Sequence, residues 1–437
     1  MALSNYLRIP GIFLCLLAMA SPVAATSLHL TVDEAILRGL EQNPQVKGSH
    51  LAVAEAEEGI NQSRSAFLPT LSVDYSYRRL YNNTNGERDT DFLSQRSQTF
   101  QSRLTQPLFK GFSSVAGYRK AELTRDYRHY QLNDLQRRLV LEVKQNFADY
   151  LWAQQRLVRW EESVGRLKRQ IELVSAWVAE DFAPRLRLLE LETELAHALQ
   201  QQVGAQADLA TAAADLRAWL MIPADIELFL IGELTSGVDP IPGKLIDYIE
   251  QALQYRPELK LTATDISLAQ QERRIIRARK LPEVNLEGSW VDFERDYRTG
   301  GVPSDDRNYY TVGVNITLRP FQGGAVYYAD RRQDLQIRRL GEVQRYYHSA
   351  IVAEVTALYE RLQEGRSRLD AAAQGIAAAQ EAYAFAEEAS RLGAASLDTL
   401  LNAELRLTRA ELDLLDARYQ QQLALIRFEH ALGLVTY

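Results

Sequence analysis

A chain of 437 residues that is 46% apolar and 24% charged is neither a disordered polymer nor a bundle of membrane-crossing helices. Its net charge of −7 arises from acids and bases interspersed along the chain, which excludes the basic face that a nucleic-acid partner requires.

The first element has the form of a processing signal. Arg8 precedes the apolar run Gly11 to Ala20, and Val23-Ala24-Ala25 offers small residues for cleavage, so residues 1–25 read as a signal peptide. The run is too short to cross a bilayer as a helix. The single cysteine, Cys15, lies inside it behind Phe13-Leu14, where a lipoprotein signal would place a small residue. With that segment removed, disulfides, thiol catalysis and cysteine-ligated metals are excluded. No later run of about 18 apolar residues follows, so any crossing of a membrane falls to strands.

The remainder repeats itself. Pro44 and Pro257 stand 213 residues apart, as do Pro69 and Pro282, and helix-like sequence fills both intervals. The first repeat is expected over 26–222 and the second over 244–437, with a linker at 223–243. Each repeat runs helix, strand hairpin, long helix, returning helix.

In the first repeat a hairpin is expected at about 70–107. Leu71, Val73, Tyr75 and Tyr77 alternate with Ser72, Asp74, Ser76 and Arg78, and a return strand covers about Gln98 to Gln106. At Arg103 to Phe112 (RLTQPLFKGF), Pro107 is expected to end the ladder, Phe109 follows, and Gly111 lets the chain swing into a helix over about 113–181. Within that helix Leu157, Trp160, Val164, Leu167, Ile171, Val174 and Val178 are spaced alternately three and four apart, the seam of coiled-coil packing. Roughly 68 residues of helix make a rod of about 100 Å, far beyond the needs of a compact domain. A break at Ala179 to Arg185 precedes a returning helix at about 186–221.

The second repeat follows the same order. Its hairpin is expected at about 283–319, where Tyr310, Val312, Val314, Ile316 and Leu318 form one face of the last strand. Pro320, Phe321 and Gly323 echo the first junction. A long helix follows at about 325–392, then a break at Arg391 to Ser396, then a returning helix at about 397–432. The shorter helices are long enough in sum to stack end to end beside each rod.

Strands of about 10 residues suit a tilted membrane crossing, and alternating faces suit an outer-membrane barrel. A soluble sheet with one wet face alternates in the same way. The long helices favour the barrel. An open four-stranded sheet cannot stand in lipid, since its edge groups lack partners, and about eight strands already close a barrel with a filled interior. Three copies, giving twelve strands, form the smallest assembly with a lumen. Tyr75, Tyr77, Trp290, Tyr309 and Tyr310 are candidates for an aromatic girdle against outer-membrane lipid; ordinary cross-strand packing is the alternative.

The motifs NPQV at Asn43, Leu-Pro before each hairpin, TQPLFKGF with its echo LRPFQGG, and GAASLDTLLNAELRL at Gly393 to Leu407 carry a resemblance to the TolC family of outer-membrane efflux and secretion ducts. The resemblance covers essentially the whole chain after the signal. It implies a mainly α fold with a membrane β-barrel: a homotrimer whose four strands per chain complete a twelve-stranded barrel, continued by a coiled-coil-like α-helical tunnel through the periplasm. It implies a passive exit duct of a tripartite efflux pump or type I secretion system, docked through a periplasmic adaptor to an inner-membrane transporter of RND or ABC type. A periplasmic coiled-coil scaffold or adaptor without a barrel is the alternative.

In that family the breaks between long and returning helices form the periplasmic tip. The adaptor contacts implied are Ala183, Pro184 and Arg185 in the first repeat, and Gly393, Ala394, Ala395 and Ser396 in the second. The family's acidic gate does not carry over intact. The position six beyond Gly393 is Thr399, the aspartate sits one place earlier at Asp398, and the next polar position is Asn402. The first-repeat counterparts of Thr399 and Asn402 are Arg187 and Glu190, so ion pairs between Arg187 and Asp398 or Glu190 of neighbouring helices are expected to hold the tip closed. Elsewhere the six histidines are scattered, no phosphate loop or nucleophile elbow occurs, and neither cofactor nor metal nor enzymatic activity is expected.

Overall fold

The computed structural model describes residues 27–81, 94–234, 243–297, 304–392, 394 and 396–433. The expected signal peptide, Gly393 and Ala395 lie outside the described residues.

Each repeat opens with two helices parted by a proline. Thr31 caps α1 (Val32–Gln42), its backbone N–H donating to Glu34 Oε2 at 2.8 Å. The residue ahead of a proline is pushed out of helical geometry. Asn43 therefore turns extended, accepts from the Gln45 N–H at 2.8 Å, and starts α2 (Pro44–Arg64). Arg256 likewise turns extended between α5 (Leu245–Tyr255) and α6 (Pro257–Ala278), without a side-chain cap, and its guanidinium donates to Glu354 at 2.6 Å.

A short parallel pair, β1 (Ser27–Leu30) with β4 (Glu227–Leu230), fastens the start of the chain to the stretch expected to be a linker. Part of 223–243 is thus a strand, and Tyr150 Oη donates to the Leu228 carbonyl at 3.1 Å to pin it to a long helix.

The large sheet is antiparallel throughout, in the order β2 (Thr70–Tyr81), β3 (Ser94–Lys110), β5 (Glu283–Tyr297), β6 (Asp305–Thr317). Every strand exceeds the expected ten residues, because the pairing continues into sequence that looks like polar loop. Pro107 does not end its ladder, contrary to expectation. It sits opposite Asn285, the register shifts between Pro107 and Phe109, and pairing resumes to Lys110 opposite Glu283. A residue without an N–H is tolerated at such an irregularity, where one ladder bond is missing anyway.

Two helices of 67 residues form the shaft, α3 (Ser113–Ala179) and α7 (Ala325–Arg391). They return as α4 (Arg185–Leu220) and α8 (Leu397–Ala431). The first rod packs against α2 and α4 in succession and also against α6 and α8; α7 packs against α6 and α8. The seam is real: Val164, Leu167 and Val174 are buried with Leu191 and Ala198 of α4, flanked by Trp160, Ile171 and Val178. Midway, Val143, Phe147 and Leu151 meet Ile36, Val46, Leu216, Leu220 and Ile426 in the largest core cluster.

Candidate functional site

Three places along the rod carry the residues singled out from sequence: the sheet, the sheet-to-helix junction, and the far ends of the helices.

Register sorts the sheet into two faces, since paired residues share a face and neighbours along a strand do not. Leu71, Val73, Tyr75 and Tyr77 share one face with Leu104, Leu286 and Trp290, and with Tyr310, Val312, Val314 and Ile316. Tyr310 is 84% exposed and Val312 79%. So apolar a surface left bare calls for an apolar medium. Trp290 stands opposite Tyr310, and its ring meets Phe100 edge-on at 5.6 Å. Tyr309 is corrected out of this set: it pairs with Val291 on the opposite face. That face carries Asp74, Arg78, Arg103 and Glu287 beside serines and threonines. Among the described residues no strand pairs with the outer edge of β2 or of β6.

At the junctions both repeats turn through left-handed backbone. Gly111 and Phe112 have φ of 59° and 66°, and Gly323 and Gly324 have 59° and 79°. Glycine takes this conformation without penalty. A Cβ at Gly111 would also lie 2.6 Å from the Ala278 carbonyl oxygen, whereas one at Gly323 would meet nothing. The Phe109 and Phe112 rings pack edge to face at 5.2 Å, and Phe321, next to Pro320, is exposed.

At the far end, Asp181 takes left-handed backbone and the Phe182 N–H reaches the Trp177 carbonyl at 2.8 Å, closing the first turn. Pro184 starts α4, with Pro184 and Arg185 exposed and Ala183 half-buried. On the other side Ala394 is exposed, and Ser396 caps α8 by accepting from the Thr399 N–H at 3.3 Å. The structure brings Arg187, Glu190 and Asp398 together within one chain. Arg187 Nη1 donates to Glu190 at 2.8 Å and also to Asp398, linking α4 to α8. The hydrogen bond to Glu190, then the attraction of Asp398, raise the Arg187 pKa above its ordinary value. Thr399 and Asn402 stay out of this cluster. The Thr399 hydroxyl lies 2.9 Å from Ser396 Oγ, and the Asn402 amide donates to the Asp398 carbonyl at 2.8 Å.

Sequence reasoning missed a buried polar knot farther up the shaft. Arg166 donates to Glu404 at 2.6 Å, and to Thr408 and Glu411 at 3.0 Å each. Ser163 adds a bond to Glu404 at 3.0 Å. Burial raises the Glu411 pKa, opposed by Arg166. A signal was present, because Glu404, Thr408 and Glu411 follow the helical spacing of one face. It resembles any solvated charged stripe until α3 is seen covering it.

Among the described residues no group of three or more His, Cys, Asp or Glu is placed to hold a metal ion. None of the described helices is long and apolar enough to cross a membrane.

The family model described as outer membrane efflux protein matches residues 36–220 and 248–434. The outer membrane efflux protein BepC of Brucella suis biovar 1 is 20% identical over 416 residues, covering 94% of this chain and 87% of that protein. The outer membrane protein TolC of Escherichia coli K12 is 22% identical over 405 residues, covering 90% of this chain and 80% of that protein. A crystal structure of CusC superposes with a TM-score of 0.79 at 17% identity, covering 98% of this chain and 99% of that one.

Proposed function

The chain belongs to the outer membrane efflux protein family, and from that premise we propose that three copies share one twelve-stranded barrel and form the exit duct of a tripartite assembly. As a member of the family it is a non-enzymatic channel of the outer membrane that extends into the periplasm. One observation carries the trimer: the four-stranded sheet presents an apolar face and two edges that no strand among the described residues pairs with. Strand directions alternate from β2 to β6, so β6 of one copy and β2 of the next also run antiparallel. The edges of three such sheets satisfy one another, as backbone in lipid must.

A periplasmic adaptor grips the exposed turn around Ala183, Pro184 and Arg185 and its counterpart around Ala394 and Ser396. An inner-membrane transporter of RND or ABC type supplies the energy. The Arg187–Asp398 pair fastens the two returning helices at the tip, in the position of a charged gate. Support for these assignments comes from family membership and from the exposure of the turns.

The test is membrane fractionation followed by gel electrophoresis with and without boiling. An outer-membrane species migrating as a heat-dissociable trimer is expected; a soluble monomer would overturn the duct in favour of a periplasmic scaffold.

A further inference from the structure

We infer that the groove between α3 and α6 at the foot of the sheet binds an anionic, phosphate-bearing diacyl lipid of the outer membrane. The inference rests on the reading above, in which the apolar sheet face meets lipid.

A cavity of about 870 Å³ lies between the first turns of α3 and the last turns of α6. Its size is that of a small-molecule site, roughly 300–1,000 Å³. Two buried alanines, Ala116 and Ala278, are among its lining residues, and side chains this small fill little of it. Phe112, Val115 and Leu281 supply an apolar wall that is largely exposed.

The cavity opens on the lipid side of the sheet. Phe109 pairs with Val284, Val284 pairs with Ile316 on the apolar face, and the Phe112 ring rests 5.2 Å from the Phe109 ring. A side-by-side neighbour does not cover it. Within one chain α3 is flanked by α2 and α4 and also by α6 and α8, which leaves the outer faces of α2 and α7 for the next copy.

The rim is cationic and uncompensated. Asp330 is already held by Arg277 at 2.7 Å and by Arg273 at 2.9 Å, and these two bonds keep its carboxyl well below the usual carboxylate range. The Arg119 and Lys280 side chains have no hydrogen bond or ion pair among the described residues, and Arg274 has only the Gln271 amide oxygen at 3.3 Å. Three cations without an acidic partner among the described residues, beside an apolar wall at the lower end of an apolar belt, match an amphiphile with an anionic head. A free phosphate ion would answer the cations and leave Phe112, Val115 and Leu281 bare.

The experiment is native mass spectrometry of the purified, delipidated trimer titrated separately with phosphatidylglycerol, phosphatidylethanolamine and inorganic phosphate. Phosphatidylglycerol is expected to bind one per chain, at least about tenfold more tightly than phosphatidylethanolamine, through charge-assisted bonds. The combined variant Arg119→Gln, Arg274→Gln and Lys280→Gln touches only exposed side chains, so it should remain trimeric and lose that preference. Three outcomes would overturn the site: no lipid on intact wild-type trimer, equal binding by wild type and variant, or inorganic phosphate binding as tightly as the lipid. In each of these the duct still stands, whereas failure of the wild-type chain to form a trimer at all would remove the duct and the lipid site together.

Discussion

Arg166 Nε on α3 lies 2.6 Å from Glu404 Oε2 on α8, and Glu404 is 0% exposed. Some turns closer to the tip, Arg187 and Asp398 make the same kind of tie between α4 and α8 in contact with water. The two ties differ in kind. A buried pair cannot lose one partner without stranding a charge in the interior, whereas an exposed pair exchanges for water at little cost. The shaft is therefore locked and the tip is merely latched.

Removing one side of the buried knot should be costly. Arg166→Met leaves Glu404 and Glu411 facing each other without a counter-charge, and a loss of about 3–5 kcal/mol is expected, read as a lower denaturation midpoint of the trimer. Replacing Arg166, Glu404 and Glu411 together with Met and Leu should recover most of it. Equal losses in the single and triple variants would show that the knot is not a coupled unit.

The latch should behave in the opposite way. Arg187→Ala and Asp398→Ala are each expected to raise the conductance of the channel in planar bilayers severalfold with little change in thermal stability. The charge exchange Arg187→Asp with Asp398→Arg should restore the low conductance, and rising salt should mimic the single variants by screening the pair. Unchanged conductance in both alanine variants would remove the charged gate.

Acid should weaken the chain through His430. Burial, with Arg137, Arg256 and Arg138 adding repulsion against Glu258, lowers its pKa to about 4. Its Nε2 has no hydrogen-bond partner among the described residues. The unfolded chain protonates near the ordinary value of about 6.5, so the contribution is complete above that pH and is lost as pH falls towards 4, by up to about 3 kcal/mol. Denaturation midpoints measured from pH 7 to pH 4 should fall in wild type and fall less in His430→Leu.

The two junction glycines should not be equivalent. Both have a φ of 59°, which costs an L-residue about 1–2 kcal/mol. Only at Gly111 does the added Cβ also strike backbone, 2.6 Å from the Ala278 oxygen. Gly111→Ala is expected to reduce trimer yield sharply, and Gly323→Ala to reduce it slightly. Equal yields would mean that the α3–α6 approach has slack to spare.

Much of this architecture was legible because its signals are local. A proline sets the helix boundary at Asn43 and again at Arg256, and alternate apolar residues mark β2 and β6. The three-four spacing from Leu157 to Val178 announces a packed seam. What escaped depended on partners distant in sequence. Pro107 looks like a stop until a register shift against β5 absorbs its missing donor. β1 and β4 are four residues each, too short for periodicity, and exist because each completes the other.

The sequence by itself determined the duplicated order of elements, the length of the rods, the positions of the turns and the sidedness of the strands, since propensity, periodicity and backbone restriction act between near neighbours. Tertiary structure alone decided which charges are buried and which are wet, because burial depends on what packs above a residue. That is why Glu404 became an interior anchor and Asp398 a surface latch, although both begin as carboxylates on the same face-rich helix. It also decided where α3 packs against α6, and so which cations, Arg119, Arg274 and Lys280, gather around the cavity at the foot of the sheet.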